Sequence, residues 1–479
     1  MIAARLPALV DRLTDIVGSD GVLSAHSDLL VYECDGFVIE KNCPDVAVFP
    51  RTTAHVQAIM KLCVEYDVPV LPRGAGTSLA GGCLPVGGGV MIVLTRMKQI
   101  EEINLRDRYA VVQPGVVNVW LTQALKGSGY HYAPDPSSQG ACTIGGNVAT
   151  NSGGPHTLKY GVTVNHVLGV EAVLADGSLV QLGGPAADAP GLDLTGLVVG
   201  SEGTLAVVTK VWVRLTRDPQ GWRTLLGIFE SVSDATNAIS AMIGAGIVPA
   251  ALEMMDQGIL SAVEAAFHFG FPLDAQAILL IEVDGLEAGL DQQRDQIIEI
   301  CKKNNAREVR QAVTAAERQL LWKCRKQAFG AVGRLSPSYC TQDGVVPRTK
   351  LPYILDKIIE IGAKYDVRIV NVFHAGDGNI HPIVLFDERD RDQVARVLAA
   401  SGEILEECIA CGGSVTGEHG IGVEKIEFMT KMFTPDDLDC MGRVRLAFNP
   451  TGRLSPSKML PTSGACGLEQ RHPARRAAM

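Results

Sequence analysis

Short apolar runs separated by turn residues dominate the chain from residue 43 to residue 216. Such runs, bounded by Gly, Pro, Asn or Asp, are typical of strands, and Asp176-Gly177 between two of them predicts a hairpin. Thr52 or Thr53 precedes apolar residues at helical spacing, which predicts a capped helix over 53–66. The region is therefore expected to be an α+β domain. Its predicted strands are 46–49, 68–71, 90–94, 110–113, 167–174 and 205–215.

The pattern changes after Pro219, where apolar positions recur at helical spacing. The alternation of helices and strands predicts a second α+β domain, with helices over one face of an antiparallel sheet. The predicted helices are 233–245, 257–267, 290–304 and 347–365, and the predicted strands are 224–229, 277–283 and 367–373. The expected organisation is an N-terminal helical segment (1–42), a first domain (43–218), a second domain (219–463) and a flexible basic tail (464–479).

The composition is that of an ordinary globular protein, with 47% hydrophobic and 20% charged residues in 479. A net charge of -10 argues against nucleic acid as a partner, because that affinity depends on Lys and Arg at phosphates. The 12 cysteines lack paired spacing, which indicates reduced thiols and a cytoplasmic protein. No apolar stretch reaches the ~18 residues of a membrane span. Charges at Arg5, Asp11, Arg12 and Asp15 interrupt any signal-peptide core, so an amphipathic N-terminal helix is expected.

A glycine-rich segment follows the predicted strand at 68–71. Closely spaced glycines let backbone N–H groups converge on an anion, and hydroxyl groups add further donors. The spacing is not that of a dinucleotide fingerprint, because Leu79 stands where GxGxxG requires glycine. Taken alone, such a segment is most often a plain turn. Its residues are Pro72, Arg73, Gly74, Ala75, Gly76, Thr77 and Ser78.

Two further clusters of small residues follow along the chain. Between residues 134 and 154 apolar residues are sparse, and a long ordered loop of this kind is usually functional. The last cluster leads into the strand predicted at 205–215. The residues concerned are Pro134, Asp135, Ser137, Ser138, Gly145, Gly146, Asn147, Asn151, Ser152, Gly153, Glu202, Gly203, Thr204, Ala206 and Val207.

In their order and spacing, the three clusters resemble the FAD-binding domain of the vanillyl-alcohol oxidase/p-cresol methylhydroxylase-type flavoproteins. The resemblance implies a two-subdomain FAD-binding domain at 43–218, with Arg73–Ser78 around the pyrophosphate and the later clusters along the adenosine and isoalloxazine. The first glycine segment contains no histidine for covalent attachment, so FAD is expected to be bound non-covalently.

A histidine-rich motif lies at residues 370–384, where two apolar runs flank Asp377-Gly378 and predict a β-hairpin. His374 ends the first strand and His381 begins the second, so their Cβ atoms are expected to face each other about 4.5–5.5 Å apart. Histidines beside a turn are often structural, but this spacing suits two ligands of one metal ion. Glu418, next to His419, is a candidate third ligand. Such a set suits Zn, Mn or Fe in an open catalytic site.

The motifs FHAGDGNIHP and TGEHGIG resemble the C-terminal substrate domain of FAD-dependent 2-hydroxy-acid dehydrogenases. The resemblance is strongest to flavin-bearing subunits of bacterial glycolate oxidases, with D-lactate and D-2-hydroxyglutarate dehydrogenases as relatives. It implies that His374, His381 and Glu418 hold a divalent metal and that His419 is the base. It further implies that Arg325 contacts the substrate carboxylate. The motif containing Asn449 implies a C-terminal segment that returns to the flavin domain.

One departure from this family bears on the substrate. A lysine used by the 2-hydroxyglutarate enzymes is replaced near Thr341, and Arg348 is the candidate substitute. The missing second cation favours a short monocarboxylate over a dicarboxylate. The expected reaction is oxidation of glycolate to glyoxylate, with a D-lactate dehydrogenase as the alternative. A non-catalytic FAD-binding subunit of an oxidoreductase complex is the alternative from another class.

The electron acceptor has no motif in this chain, which carries no nicotinamide fingerprint and no second redox-centre motif. The resemblance implies electron transfer to a non-NAD acceptor through an iron–sulfur subunit and a second, flavin-domain-like subunit. A cytoplasmic location is expected, with peripheral attachment at the inner membrane through those subunits as the further alternative.

Overall fold

The computed structural model describes residues 2–186 and 190–461, so the tail predicted at 464–479 lies outside the described residues. None of the described helices is long and apolar enough to cross a membrane. The helices and strands up to residue 217 are α1 (Ile2–Val17), β1 (Val22–Leu23), α2 (His26–Leu29), β2 (Val46–Val48), α3 (Thr53–Tyr66), β3 (Val70–Arg73), β4 (Val90–Val93), β5 (Ile100–Asn104), β6 (Tyr109–Val112), α4 (Asn118–Ala124), β7 (Tyr130–His131), α5 (Ile144–Thr150), α6 (Thr157–Tyr160), β8 (Val167–Val173), β9 (Leu179–Gly183), α7 (Leu194–Val198), β10 (Val207–Arg214) and β11 (Thr216–Arg217).

The remaining elements alternate helix and strand more regularly. They are β12 (Gly221–Phe229), α8 (Val232–Gly244), β13 (Ala251–Asp256), α9 (Gln257–Phe267), β14 (Ala277–Gly285), α10 (Leu290–Lys303), β15 (Glu308–Ala312), α11 (Ala315–Val332), β16 (Ser338–Thr341), β17 (Gly344–Val345), α12 (Leu351–Tyr365), β18 (Arg368–His374), β19 (Asn379–Ile380), β20 (Pro382–Phe386), α13 (Arg391–Ala410), α14 (Met429–Met432) and α15 (Pro435–Phe448).

The chain divides into two compact units. The first consists of Met1–Ser152, Val162–Arg217 and Glu418–Met479, and the second of Gly153–Gly161 and Asp218–Gly417. The C-terminal segment therefore returns to the first unit, as predicted. Leu454 forms a parallel bridge with Val70 of β3, and the Ser455 N–H donates to the Val70 carbonyl at 2.8 Å.

The first unit contains two main sheets, which confirms the predicted two-subdomain arrangement. One has the order β1-β2-β4-β3, in which β2 and β3 both run parallel to β4. Apolar side chains of α1 and α3 pack against it. The other sheet is antiparallel, with the order β5-β6-β10-β8-β9, and its core includes side chains from α4 and α5. The predicted Asp176-Gly177 hairpin joins β8 to β9.

One local prediction in this unit is wrong. The stretch from 134 to 154 was expected to be a loop throughout, but residues 144–150 form helix α5. Thr143 caps the helix, because its Oγ1 accepts a hydrogen bond from the Gly146 N–H at 3.3 Å. Ile144 and Val148, one turn apart, are both buried. A cap and one apolar pair are therefore enough to order this glycine-rich stretch once a core is available.

The second unit is built on a nine-stranded sheet. Its main path runs β15-β12-β14-β13-β18-β19-β17, with β20 beside β18 and β16 beside β20. The prediction that helices cover one face is wrong. Leu225 and Leu279 point into a core shared with α8, α10, α12 and α13, whereas Leu226 and Ile278 point into a core shared with α9 and α11. Successive residues along these strands are apolar, and their side chains point to opposite faces of the sheet. Both faces therefore have to be covered by helices.

Candidate active site

The predicted hairpin forms within the second unit, but its register differs from the expectation. His374 pairs with Asn379 and Asn371 pairs with Pro382, so His381 is a diagonal neighbour of His374 and does not face it. The four-residue turn 375–378 fixes this register. The imidazoles still meet, with ring centroids 5.1 Å apart and planes at 88°, because diagonal neighbours remain within reach of aromatic side chains.

A buried carboxylate fixes the orientation of His374. Glu253 of β13 is the cross-strand partner of His374, and its Oε1 and Oε2 lie 2.8 and 3.0 Å from His374 Nδ1. Burial raises the pKa of Glu253, but His374 when its ring is protonated, and the charge and hydrogen bond of Arg325 in either state of that ring, hold this pKa below its ordinary value. An ionised carboxylate only accepts hydrogen bonds, so Nδ1 carries the proton and Nε2 of the neutral ring keeps its lone pair.

A hydrogen-bond acceptor also fixes the tautomer of His381. Its Nδ1 lies 3.2 Å from the Gln342 carbonyl oxygen, which also can only accept. Nδ1 therefore donates, and the neutral ring keeps its lone pair on Nε2. Both histidines are at least 97% buried. Two imidazoles with this tautomer, held close together in a dry interior, are suited to ligating a metal ion.

Arg325 of α11 joins this cluster through its contact with Glu253. Its side chain is fully buried, and Nε donates to Glu253 Oε2 at 2.6 Å. Among the described residues neither Nη1 nor Nη2 has a hydrogen-bond partner, although both atoms are buried. Buried donors left unsatisfied are costly, at about 1–3 kcal/mol each. Two of them on one planar fork fit a carboxylate ligand.

The start of the TGEHG motif is anchored in the same unit. Asp343 Oδ2 accepts hydrogen bonds from the Thr416 hydroxyl at 2.6 Å and the Gly417 N–H at 3.0 Å. Gly417 is glycine for a packing reason, because a Cβ there would lie 2.2 Å from Asn379 Nδ2. Asn379 is the strand partner of His374. The residue before Glu418 therefore packs directly on the histidine hairpin.

Glu418 and His419 begin the returning segment of the first unit. His419 Nε2 lies 3.7 Å from Glu418 Oε1, and the His419 carbonyl accepts from the Ser78 hydroxyl at 3.5 Å. Glu202, predicted to contact the cofactor, is buried and accepts from the N–H groups of Ile421 and Gly422 at 2.6 and 2.7 Å. Burial raises the pKa of Glu202, while these two donors oppose the rise. Glu202 thereby fixes the loop that follows His419.

The first glycine segment leaves β3 as an irregular loop. Cβ atoms would not fit here: on Gly74 one would lie 2.5 Å from Thr143 Oγ1, and on Gly76, where φ is +73°, one would lie 2.0 Å from Arg73 Nη2. The buried Arg73 donates to the Cys34 carbonyl at 2.9 Å. Neighbouring side chains therefore approach the backbone at Gly74 and Gly76 too closely for a Cβ to fit.

Except for Gly153, the other predicted cofactor residues lie in the first unit, in loops, in helices α5 and α15 or at their ends, and at the start of β10. Asn151 caps α5 in a left-handed conformation, with φ at 53°, and its Oδ1 accepts from the Val164 N–H at 2.8 Å. The Pro134 carbonyl accepts from Asn118 Nδ2 at 3.0 Å. Asn449 is fully buried and donates to the carbonyls of Thr204 and Leu454, so it fastens the returning segment. Gly153 begins the short segment that belongs to the second unit.

Arg348 and Thr341 also lie in the second unit. Arg348 is half-buried, and its Nη1 donates to the Gly376 carbonyl in the hairpin turn at 3.2 Å. Thr341 ends β16 opposite Ile383 and is buried.

The sequence reasoning missed Glu253 and Asp343. A signal for each was available: Glu253 is an acid inside the apolar run ALEMM, and Asp343 stands in a short polar break between two strands. Buried acids are rare unless they are paired. Neither residue has a motif, however, and pairing across β13 and β18 joins positions 121 apart in the chain.

Fold and sequence together assign this chain to a class of flavoprotein. The solved structure of p-cresol methylhydroxylase with substrate bound matches with a TM-score of 0.82 at 17% identity, covering 98% of each chain. That likeness establishes the fold. Two family models match the sequence: "FAD binding domain" over residues 44–183 and "FAD linked oxidases, C-terminal domain" over residues 219–459.

The chain belongs to the FAD-linked oxidases and is an FAD-dependent oxidoreductase. It is 46% identical over 445 residues to glycolate oxidase subunit GlcD of Escherichia coli (strain K12), covering 93% of this chain and 89% of that protein. It is 30% identical over 469 residues to the probable mitochondrial D-lactate dehydrogenase of Danio rerio, covering 95% of this chain and 92% of that protein.

Proposed function

We propose that this protein oxidises a short 2-hydroxy acid, with glycolate favoured, to the corresponding 2-oxo acid. The observation that carries the proposal is the cluster in the second unit, where Arg325 presents two buried donors and shares Glu253 with His374. A guanidinium fork suits the carboxylate of such a substrate. The identity to a protein named glycolate oxidase subunit supports the choice of glycolate.

We also propose that His374, His381 and Glu418 hold a divalent metal, with Zn, Mn and Fe as the candidates. The tautomers assigned to the two imidazoles support this, because both keep the Nε2 lone pair. Glu418 follows Gly417, which packs on the strand partner of His374. Consecutive Cα atoms are about 3.8 Å apart, so Glu418 starts within one residue of the hairpin. The bound ion would supply Lewis-acid polarisation of the substrate hydroxyl.

Substrate binding and proton transfer are assigned to side chains of this protein. Arg325 binds the substrate carboxylate and fixes the direction of the α-carbon. His419 accepts the hydroxyl proton as general base. When bound, FAD supplies the acceptor for the hydride that leaves the α-carbon. The bonds around the substrate balance: one proton and one hydride leave, and a carbonyl forms. FAD is expected to be held non-covalently by Pro72–Ser78, the clusters at 134–153, Glu202–Val207 and Asn449.

The absence of a lysine near Thr341 supports a monocarboxylate, and Arg348, which donates to the Gly376 carbonyl of the hairpin turn, is the candidate second cation. D-lactate is the competing substrate, because one methyl group changes discrimination by only about 1–3 kcal/mol. The similarity to a probable D-lactate dehydrogenase keeps that alternative open.

We further propose that the chain works as a cytoplasmic subunit of a larger oxidase. An iron–sulfur subunit and a second flavin-domain-like subunit would carry electrons to a non-NAD acceptor. The support is that similar proteins bear the name of a subunit.

The decisive experiment is the absorption spectrum of the purified protein under argon, before and after addition of glycolate or D-lactate. Glycolate is expected to reduce the flavin faster than D-lactate at equal concentration. Faster reduction by D-lactate would reverse the order of the two substrates. Turnover of glycolate by the isolated chain with an artificial acceptor separates a catalytic subunit from a non-catalytic one.

A further inference from the structure

Glu253 is the point at which two functional groups of the second unit meet. Its Oε2 accepts from Arg325 Nε at 2.6 Å and lies 3.0 Å from His374 Nδ1, while its Oε1 lies 2.8 Å from the same nitrogen. The Glu253 side chain is fully buried and so is that of Arg325. Both hydrogen bonds are therefore shielded from solvent in the folded protein.

We propose that Glu253 is a positioning residue that organises metal binding and substrate binding with one carboxylate. It holds the proton of His374 on Nδ1, so that Nε2 faces the metal, and it locks the Arg325 guanidinium so that the two Nη groups face the substrate carboxylate. This inference rests on the proposed function, because it assigns Glu253 a role toward the metal and substrate proposed above.

The chemistry of the side chain makes the role specific. A carboxylate offers two acceptor oxygens, and both are used here by different donors. A glutamine of the same shape offers one oxygen and one donor group. In Glu253→Gln, when the amide oxygen accepts from Arg325, the NH2 group donates to His374 Nδ1, and the proton of the neutral imidazole moves to Nε2. Removal of a carboxylate that orients a metal-bound histidine typically weakens metal affinity about 10- to 100-fold.

Glu282 provides a matched control. It is an equally buried glutamate on β14 of the same sheet, and it pairs with Arg318 of the same helix α11 at 2.6 Å. It also accepts from the Trp322 indole N–H at 2.9 Å. The Glu282 carboxylate accepts hydrogen bonds from Thr224, Arg318 and Trp322. Glu282→Gln thus removes the same charge from the same sheet without touching the cluster.

The first measurement is Zn²⁺ affinity of the metal-free, FAD-loaded protein, by competition with a fluorescent chelator. Glu253→Gln is expected to weaken Zn²⁺ binding about 10- to 100-fold, and Glu282→Gln to leave it within about twofold of wild type. Equal affinity for Glu253→Gln and wild type would overturn the inference, as would equal weakening by both variants. Failure of the wild type itself to bind Zn²⁺ or Mn²⁺ would instead refute the proposed metal site.

The second measurement tests the arm toward Arg325, using oxalate as the probe and the flavin absorbance change as the signal, with metal saturating. Glu253→Gln and Arg325→Met should each weaken oxalate binding at least about tenfold, and the double variant should bind no more weakly than Arg325→Met alone. Additive losses would show that Glu253 does not act through Arg325. Glu253→Gln alone leaves the buried charge of Arg325 without a counter-ion, which can prevent folding. The double variant removes both charges and avoids this problem. Arg325→Met alone should keep wild-type Zn²⁺ affinity.

Discussion

Under the proposed function, Arg325 is a side chain kept for ligand binding at a cost to stability. A buried guanidinium with a single acceptor is an expensive arrangement for folding, because two donor groups lack partners among the described residues. That arrangement is favourable only when an anion completes it.

Arg325→Lys should raise KM for glycolate more than it lowers kcat. Lysine keeps the charge but loses the planar fork and the Nε bond to Glu253. A hydrogen bond to a charged group contributes about 1.5–3 kcal/mol, so kcat/KM should fall at least about tenfold. Arg318→Lys, on the same helix and also paired with a buried glutamate, is the control and should keep its KM. Equal effects of the two variants on KM would contradict the assignment.

In the proposed mechanism, proton transfer depends on His419. His419→Ala should leave the flavin absorption spectrum intact, while anaerobic flavin reduction by glycolate slows by about 10²- to 10⁴-fold, the usual contribution of a general base. His268→Ala, at the exposed end of α9, is a suitable control. Near-normal flavin reduction in His419→Ala would remove this histidine from the mechanism.

At the scale of elements, the hairpin β18–β19 depends on its turn. Gly378 has φ at +84°, and a Cβ there would lie 2.1 Å from the Val346 carbonyl oxygen. Gly412 has a similar φ of +79° but open space around it. Alanine substitutions at these two glycines therefore separate the cost of backbone strain from the cost of steric overlap.

Gly412→Ala should lower the free energy of unfolding by about 1–2 kcal/mol, the cost of a left-handed non-glycine residue. Gly378→Ala should cost clearly more, because β18–β19 or the segment at Val346 must also shift, and His374 would lose its place beside Asn379. Urea unfolding of both variants measures the difference. Equal destabilisation would mean that the turn has room to relax.

At the scale of the whole molecule, the returning C-terminal segment brings a lysine into the first unit. Lys458 is fully buried and donates to the Gly81 carbonyl, three residues beyond the glycine segment, at 2.9 Å. Burial lowers the pKa of Lys458 to about 8, although Cys83, Asp35, Glu202 and Glu40 oppose the change. The ordinary value is 10.5.

Between about pH 8 and pH 10.5 the unfolded chain therefore binds more protons at this lysine than the folded chain does. The contribution of Lys458 to stability rises with pH across that window, and it is lost as pH falls through about 8. Relative to Lys458→Met, the free energy of unfolding of wild type should rise by up to about 3 kcal/mol across the window. Urea unfolding at pH 7.5 and pH 10 measures this difference. Parallel pH dependences in the two proteins would contradict it.

Much of the local architecture is determined by sequence alone. Helix α9 and the hairpin β8–β9 follow from apolar spacing and an Asp-Gly turn, which are local properties of the chain. The histidine hairpin was predictable for the same reason. The glycine segment after β3 was recognisable because close backbone approach requires glycine, as the 2.5 Å separation at Gly74 illustrates.

Tertiary structure decided what periodicity cannot encode. Helices cover both faces of the second sheet because alternate apolar positions on β12 and β14 point into different cores. The hairpin turn set the register that makes His381 a diagonal neighbour of His374. Glu253 acquired its role only when β13 aligned with β18, because a buried acid has no signature in sequence until its partners are known. Local structure is determined by neighbouring residues, whereas this site depends on strand pairing between residues that lie far apart in the sequence.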